Sequence, residues 1–383
     1  AVYQQTFGRA ADAAGLAFYN TEITAGRITL IDMSKRIIDG ATGDDVTIRT
    51  NRISAAQSFT DKLDTDAERA GYSGSGAEDS ARTWIATVTK DPATVTAAVA
   101  SADSTITALL PQAFTLTTSA DKWTGSAGND TVSGTLSGLT TTLNQTDVLD
   151  GGTGTDTLNV TWGANFAGFT LGTGSMKNIE VVNLTNSGTV ARDFSGKGVS
   201  GVTTYNITGP TGTLSDLAST DATFNLKSQA TSGTATVTMT FDTEAITGSS
   251  TKLALGLEGS GKVGTAGNGT SLTGEGALVI AANGVELPTL NATGTNVASL
   301  TGTATTGVTV TGDGSLRLTA LGATTKTIDA SALKGAFDVT VNESTNGVSS
   351  VKGGAGDDHI RATTNALSLT ATVDGGAGRI DSF

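Results

Sequence analysis

Gly151-Gly152-Thr153-Gly154-Thr155-Asp156-Thr157-Leu158 is the stretch whose reading decides the fold. It matches the nonapeptide G-G-x-G-x-D-x-U-x, a calcium-binding β-helix repeat in which U is a large apolar residue. Three other stretches follow the same plan: Gly125-Ser126-Ala127-Gly128-Asn129-Asp130, Gly353-Gly354-Ala355-Gly356-Asp357-Asp358 and Gly375-Gly376-Ala377-Gly378. Two of these continue in register, as Asp130-Thr131-Val132 and Asp358-His359-Ile360. The glycines admit positive φ and let carbonyl oxygens approach one another. The aspartates add carboxylates. Such a loop offers oxygen ligands and little else, which suits calcium, a hard cation that takes roughly six to eight of them.

The chain has 50 Gly, so one such match would carry no weight. Four matches, three with Asp and an apolar residue in register, exceed what composition supplies. The competing reading is a set of metal-free Gly-Asp β-turns. Two departures bear on the choice. Ser126 replaces the second glycine of the first copy, and the fourth copy reads Arg379-Ile380-Asp381, with its Asp one residue late. The copies form two separated pairs, which predicts a few isolated calcium sites and not a long array. The candidate metal residues are Gly125, Gly128, Asp130, Asp150, Gly151, Gly152, Gly154, Asp156, Gly353, Gly354, Gly356, Asp357, Asp358, Gly375, Gly376, Gly378 and Asp381. Asp130, Asp156 and Asp358 lead this set; Asp150, Asp357 and Asp381 come second.

At 383 residues the chain has room for two or three domains. Its net charge of −13 argues against nucleic acid, which needs a basic face, and suits a collector of divalent cations. There is no cysteine, so disulfides, thiol catalysis and thiolate metal sites are excluded. An extracellular protein of this kind must be stabilised by other means, and calcium is a candidate. No apolar run approaches the roughly 18 residues of a membrane helix, and no signal peptide is visible. The chain starts without methionine and ends inside a motif copy, so it reads as part of a longer polypeptide.

Residues 1–112 read as helical. Asp12 is the expected N-cap of a second helix and Gly26 its stop. Leu30, Met33, Ile37 and Ile38 recur at helical spacing. Further helices are expected over Asp45 to Leu63, Ala77 to Val88 and Thr94 to Leu110, the last opening after Asp91-Pro92. Gly71 to Gly76 reads as a loop. Pro111 marks the end of the helical part.

From about Phe114 the period changes. Thr157 to Thr161, Glu180 to Thr185, Ala235 to Phe241, Val308 to Thr311 and Phe337 to Val341 alternate apolar and polar, as strands do. Asn268-Gly269, Asn283-Gly284 and Asn346-Gly347 are turn signals. The expected fold class is therefore α + β in separate domains: a helical bundle, then an all-β region. That region is a parallel β-solenoid, since stacked coils tolerate Thr and Ala, or alternatively a β-sandwich. The expected divisions are 1–112, a β region over 113–190 with two calcium motifs, and 191–383 ending in the others.

Enzymatic signals are thin. Gly256-Leu257-Glu258-Gly259-Ser260-Gly261-Lys262-Val263 nearly spells a phosphate-binding loop, but Val263 stands where Ser or Thr must hold magnesium. His359 has no second His, Cys or Glu at ligand spacing. Trp84, Trp123 and Trp162 could stack sugars, although burial is the commoner fate of tryptophan. Asp147, Asp150 and Asp156 could pair as catalytic carboxylates, but their place around a calcium motif favours ligation or turn capping.

Phe7-Gly8-Arg9-Ala10-Ala11-Asp12-Ala13-Ala14-Gly15-Leu16-Ala17-Phe18-Tyr19 resembles the signature of a helical domain near the N-terminus of large type I-secreted bacterial exoproteins. Asn51 to Leu63 and Val88 to Val95 look like the same family further along. Thr124 to Asp130, Asp147 to Leu158 and Asn178-Ile179-Glu180-Val181-Val182-Asn183-Leu184 resemble the RTX-type calcium-binding surface-layer proteins of Gram-negative bacteria. The resemblance covers about the first half of the chain and the last thirty residues. It implies a secreted, non-enzymatic structural protein, located at the cell surface, that assembles with itself into a two-dimensional calcium-dependent lattice. It also implies that the helical domain holds lipopolysaccharide or another surface glycan of the outer membrane. The alternatives are a segment of a large RTX adhesin, and an RTX enzyme whose catalytic domain lies elsewhere.

Overall fold

Short polar side chains start four of the helices of this chain. Asp12 accepts from Gly15 N at 2.7 Å and opens the second helix. Thr29 with Asp32, and Thr65 with Glu68, form reciprocal capping boxes that satisfy the first backbone N–H groups. Asp91 caps the last helix, with Pro92 in its first turn. The structure, a computed structural model, describes residues 2–209, 211–227, 235–264, 275–341, 347–363 and 366–383. The turn signal Asn268-Gly269 and Asn346 of the pair Asn346-Gly347 lie outside the described residues.

The chain divides into two units. The first holds residues 1–112 together with the loops Gly125–Asp130 and Gly152–Thr155. Its helices are α1 (Val2–Phe7), α2 (Ala13–Thr24), α3 (Leu30–Asp39), α4 (Asp44–Asp61), α5 (Asp66–Gly71), α6 (Gly74–Ala86) and α7 (Pro92–Thr107). Phe59, Trp84, Val88, Ala98, Ala102, Ile106 and Leu109 form its core. The expected loop from Gly71 to Gly76 is shorter in the structure, because α5 ends at Gly71 and α6 begins at Gly74. Gly76 serves close approach: a Cβ there would lie 2.7 Å from Ala127 O and 2.8 Å from Gly154 N, whereas Gly74 supplies a φ of +81°.

Arg52 on α4 ties this unit together. It is buried, and its guanidinium donates to the carbonyls of Val88 (3.1 Å), Gln4 (3.2 Å), Ala86 (3.3 Å) and Gln5. One side chain thus satisfies the ends of two other helices. Arg52→Leu is expected to destabilise the first unit by about 2–3 kcal/mol, because it strands buried carbonyls. Chemical denaturation followed by helical circular dichroism checks this, and an unchanged midpoint would refute the tie.

The second unit is a parallel β-solenoid of about 10 turns. Each turn adds one strand to a 12-stranded sheet, while an 8-stranded and a 3-stranded sheet receive the alternate strands. Every pairing between the described strands is parallel, so a sandwich of antiparallel hairpins is ruled out as the arrangement of this region. Alternation aims every second residue of a strand inward, and these residues form columns from coil to coil. Val132, Leu158, Val182, Tyr205, Phe224, Leu255, Leu290 and Val310 are in register from coil to coil, and all are buried. Tyr205 stacks on Phe224 with centroids 5.1 Å apart, and burial raises its phenol pKa. Among the described residues no helix is long and apolar enough to cross a membrane.

Candidate metal centre

The Gly-Asp loops stack in pairs, and both pairs stack alike. In the first pair, a Cβ on Gly152 would lie 2.3 Å from Ser126 O, and one on Gly154 would lie 2.4 Å from Gly128 O. In the last pair, Gly376 stands 2.1 Å from Gly354 O and Gly378 2.2 Å from Gly356 O by the same measure. Gly152, Gly154 and Gly376 also have φ of +92°, +122° and +93°. No side chain fits these positions, so the glycines are dictated by carbonyl oxygens of the preceding coil.

The motif aspartates point inward. Asp130 is buried and accepts from Gln112 N at 2.6 Å, from Ser126 Oγ at 2.8 Å and from Ser126 N. The serine that breaks the glycine pattern therefore acts as a partner of the aspartate. Asp358 is buried and accepts from Phe337 N at 2.7 Å and Gly354 N at 2.5 Å. Asp156 is buried with Oδ2 beside Gly151, where a Cβ would be 2.4 Å from that oxygen and 1.8 Å from Asn178 O. Gly353 repeats this relation with Asp358 Oδ2 and Gly375 O, at 2.4 and 2.1 Å. Carboxylate and carbonyl oxygens thus converge beside the same glycines.

Asp381 takes the place of a motif aspartate although its register is late. Its Oδ1 accepts from Asp358 N at 3.0 Å, and its side chain lies against Gly375. Asp357 Oδ1 accepts from Arg379 N at 2.9 Å and Ile380 N at 3.2 Å. Asp150 differs: it pairs with Lys177 at 2.9 Å and accepts from Asn178 Nδ2 at 2.8 Å, so it brings its own cation. Gly125 contributes a carbonyl 3.4 Å from the Cβ position of Gly152.

Two carboxylates in these coils escape the motif. Glu180 Oε2 accepts from Asp156 N at 2.8 Å, the same service that Asp381 gives Asp358. Its signal is the Asn178-Ile179-Glu180 run, with Asn178 at φ +53°. Asp121 donates its N–H to Asp147 Oδ1 at 2.9 Å, and Asn144 N donates to Asp147 Oδ2 at 2.7 Å. Asp121 and Asp147 are both buried.

These oxygens fit a hard cation by type, and the glycine cradles fit by shape. By number the side chains do not suffice: among the described residues, no three His, Cys, Asp or Glu side chains converge on one metal position. A cation here would rely on main-chain carbonyls, with roughly one carboxylate per coil, as hard-cation loops allow. Gly125, Gly128, Gly151, Gly152, Gly154, Gly353, Gly354, Gly356, Gly375, Gly376 and Gly378 are the residues whose backbones would supply them.

The other sequence candidates separate cleanly. Gly256 lies within the strand Lys252–Glu258, and Ser260 Oγ donates to Leu226 O at 2.6 Å, so this part of the near phosphate loop is solenoid wall. Trp84, Trp123 and Trp162 are buried in cores and form no platform. His359 Nδ1 meets Ser382 Oγ on the neighbouring coil. In the first unit, a groove of about 310 Å³ is lined by Tyr3, Arg9, Leu16, Tyr19 and Met33, with Arg9 5.0 Å from the Tyr3 ring centre and paired to Asp45.

The helix carboxylates and the buried aspartates Asp147 and Asp358 carry opposite acid responses. The hydrogen bond from Arg9 holds Asp45 below the ordinary carboxylate range, and those from Thr29 and Thr65 do the same for Asp32 and Glu68. Their contribution is present above the unfolded pKa and lost as pH falls through the lowered folded value. Burial raises Asp147 and Asp358, with repulsion from Asp121, and from Asp381 and Asp357, adding to it. Their contribution is present below the unfolded pKa and lost as pH rises through the raised folded value. Acidifying from neutrality in the absence of calcium should therefore loosen α2 to α5 before the coils around Asp147 and Asp358. Hydrogen exchange by mass spectrometry reads this; coils that exchange before helices would contradict it.

No family model matches this chain, and no curated protein or solved structure matches it.

Proposed function

We propose that this chain is a structural protein of an extracellular surface layer, a protomer that associates with copies of itself when calcium orders its Gly-Asp loops. The observation that carries this reading is the last loop pair. There Asp357, Asp358 and Asp381 stand close enough to repel, and among the described residues none is paired with Lys or Arg. A divalent cation would relieve that repulsion, with Asp358 and Asp381 and the carbonyls around Gly353, Gly354, Gly375 and Gly376 as its holders. In the first pair, Asp130 with the glycines of its own unit, and separately Asp156 with Gly151, offer oxygens of the same chemistry. The chemistry calcium supplies is charge neutralisation and loop ordering.

On this reading the net charge of −13 keeps protomers apart until calcium offsets it. A head-to-tail contact then propagates without closing, as a sheet or filament. The helices of the first unit act as a bundle that holds the layer to the outer-membrane glycan, for which the Tyr3, Arg9 and Tyr19 groove is the candidate. Light scattering and negative-stain microscopy test the proposal. Soluble monomer is expected in chelator, and ordered arrays at about millimolar calcium, the weak extracellular class of site. Equal scattering with and without calcium would exclude the surface-layer reading and leave the adhesin segment in its place.

A further inference from the structure

The outward face of the 12-stranded sheet carries an amide ladder. Asn159, Asn183, Asn206 and Asn225 are in register on successive coils. Asn183 Nδ2 donates to Asn159 Oδ1 at 2.7 Å, Asn206 Nδ2 to Asn183 Oδ1 at 2.7 Å, and Asn225 Nδ2 to Asn206 Oδ1 at 2.8 Å. All three bonds run the same way, so the amides polarise one another and strengthen the donor at the open end. That donor is Asn159 Nδ2, for which no acceptor stands among the described residues.

The donor end opens into a groove of about 390 Å³. The groove crosses the strands Ala113–Thr115, Thr131–Leu136, Thr157–Trp162 and Val181–Thr185. Its polar lining is hydroxyl and amide, from Ser133, Thr135, Thr142 and Thr161 besides the asparagines, over apolar Leu116 and Val160. Its wall is fixed, since Thr135 N donates to Thr142 Oγ1 at 2.8 Å and Thr142 N donates back to Thr135 O at 2.8 Å. No charged side chain lines it. The volume falls within the range of small-ligand sites.

These properties select a ligand class. An ionic group placed here would lose water and gain no counter-charge. A hydroxyl-rich neutral molecule meets groups that both donate and accept. Coils lie about 4.8 Å apart, so successive rungs present a regular grid to an extended chain. We propose that this groove binds a neutral saccharide, with one sugar oxygen accepting from Asn159 Nδ2.

Asn159→Asp isolates the decisive contact. The carboxylate still accepts from Asn183, so the ladder stands, but the donor to the groove is gone. Saturation-transfer NMR on the whole chain would use maltotetraose as neutral probe and tetragalacturonate as its anionic counterpart, with Asn291→Asp, outside the groove, as control. Transfer to maltotetraose and not to tetragalacturonate is expected, weakened about tenfold by Asn159→Asp, the loss of about one hydrogen bond, and unchanged by Asn291→Asp. Circular dichroism confirms that both variants fold. No transfer to maltotetraose, equal transfer to both probes, or equal transfer to wild type and Asn159→Asp overturns the proposal.

Discussion

Chelating calcium is expected to lower the melting temperature of the solenoid by about 10–20 °C. A ligand that binds only the folded state stabilises it by about 2.7 kcal/mol when free at about a hundred times its Kd. Two loop pairs give about twice that, and a unit of this size shifts by about 2–4 °C per kcal/mol. The loss should begin at the coils carrying Asp358 and Asp381, because solenoid coils contact only their neighbours and open from weak points. Asp358→Asn tests the alternative within the same loop. It keeps an acceptor for Phe337 N or Gly354 N while removing the charge that repels Asp381 and Asp357. If the loops are metal-free turns, Asp358→Asn costs little and chelator costs nothing. If calcium holds them, the variant loses about half of the calcium-dependent rise in melting temperature, the share of the last loop pair. Identical curves in chelator and in calcium for the wild type would sink the calcium reading.

Trp162→Ala is expected to cost about 3–5 kcal/mol. Trp162 is among the largest fully buried side chains, and Gly212 gives it room: a Cβ there would lie 2.3 Å from Trp162 Cη2. Gly212→Ala should therefore be nearly as damaging, through overpacking. The two should not add. In a Trp162→Leu background the ring is gone and Gly212→Ala should cost much less, a coupling that a double-mutant cycle in denaturant measures. Additive costs would mean that Gly212 is glycine for some reason other than the tryptophan.

The sequence was legible where periodicity is local. Thr157–Trp162, Val181–Thr185 and Ala235–Phe241 alternate strictly, and their inward residues are those the alternation names. The stacking of coils was not legible, because the asparagines of the ladder are separated by 24, 23 and 19 residues in turn. An uneven period leaves no repeat to read. The short helix α5 was missed although Thr65 and Glu68 spell its capping box, since six residues show no apolar face. In the Gly-Asp loops, the paired glycines were readable from the motif. Glu180 and Asp121 were not, nor was the pairing of Asp150 with Lys177, because each partner comes from an adjacent coil.

The same unevenness has an evolutionary consequence. Coils of different length stack in register because surplus residues are extruded where one strand turns into the next. Leu139, Leu171 and Val190 sit in such extrusions, all exposed and away from the inward column. An insertion there lengthens one circumference and leaves every rung in place. Mutation can thus vary what the surface displays, epitopes included, while the scaffold that displays it is inherited unchanged.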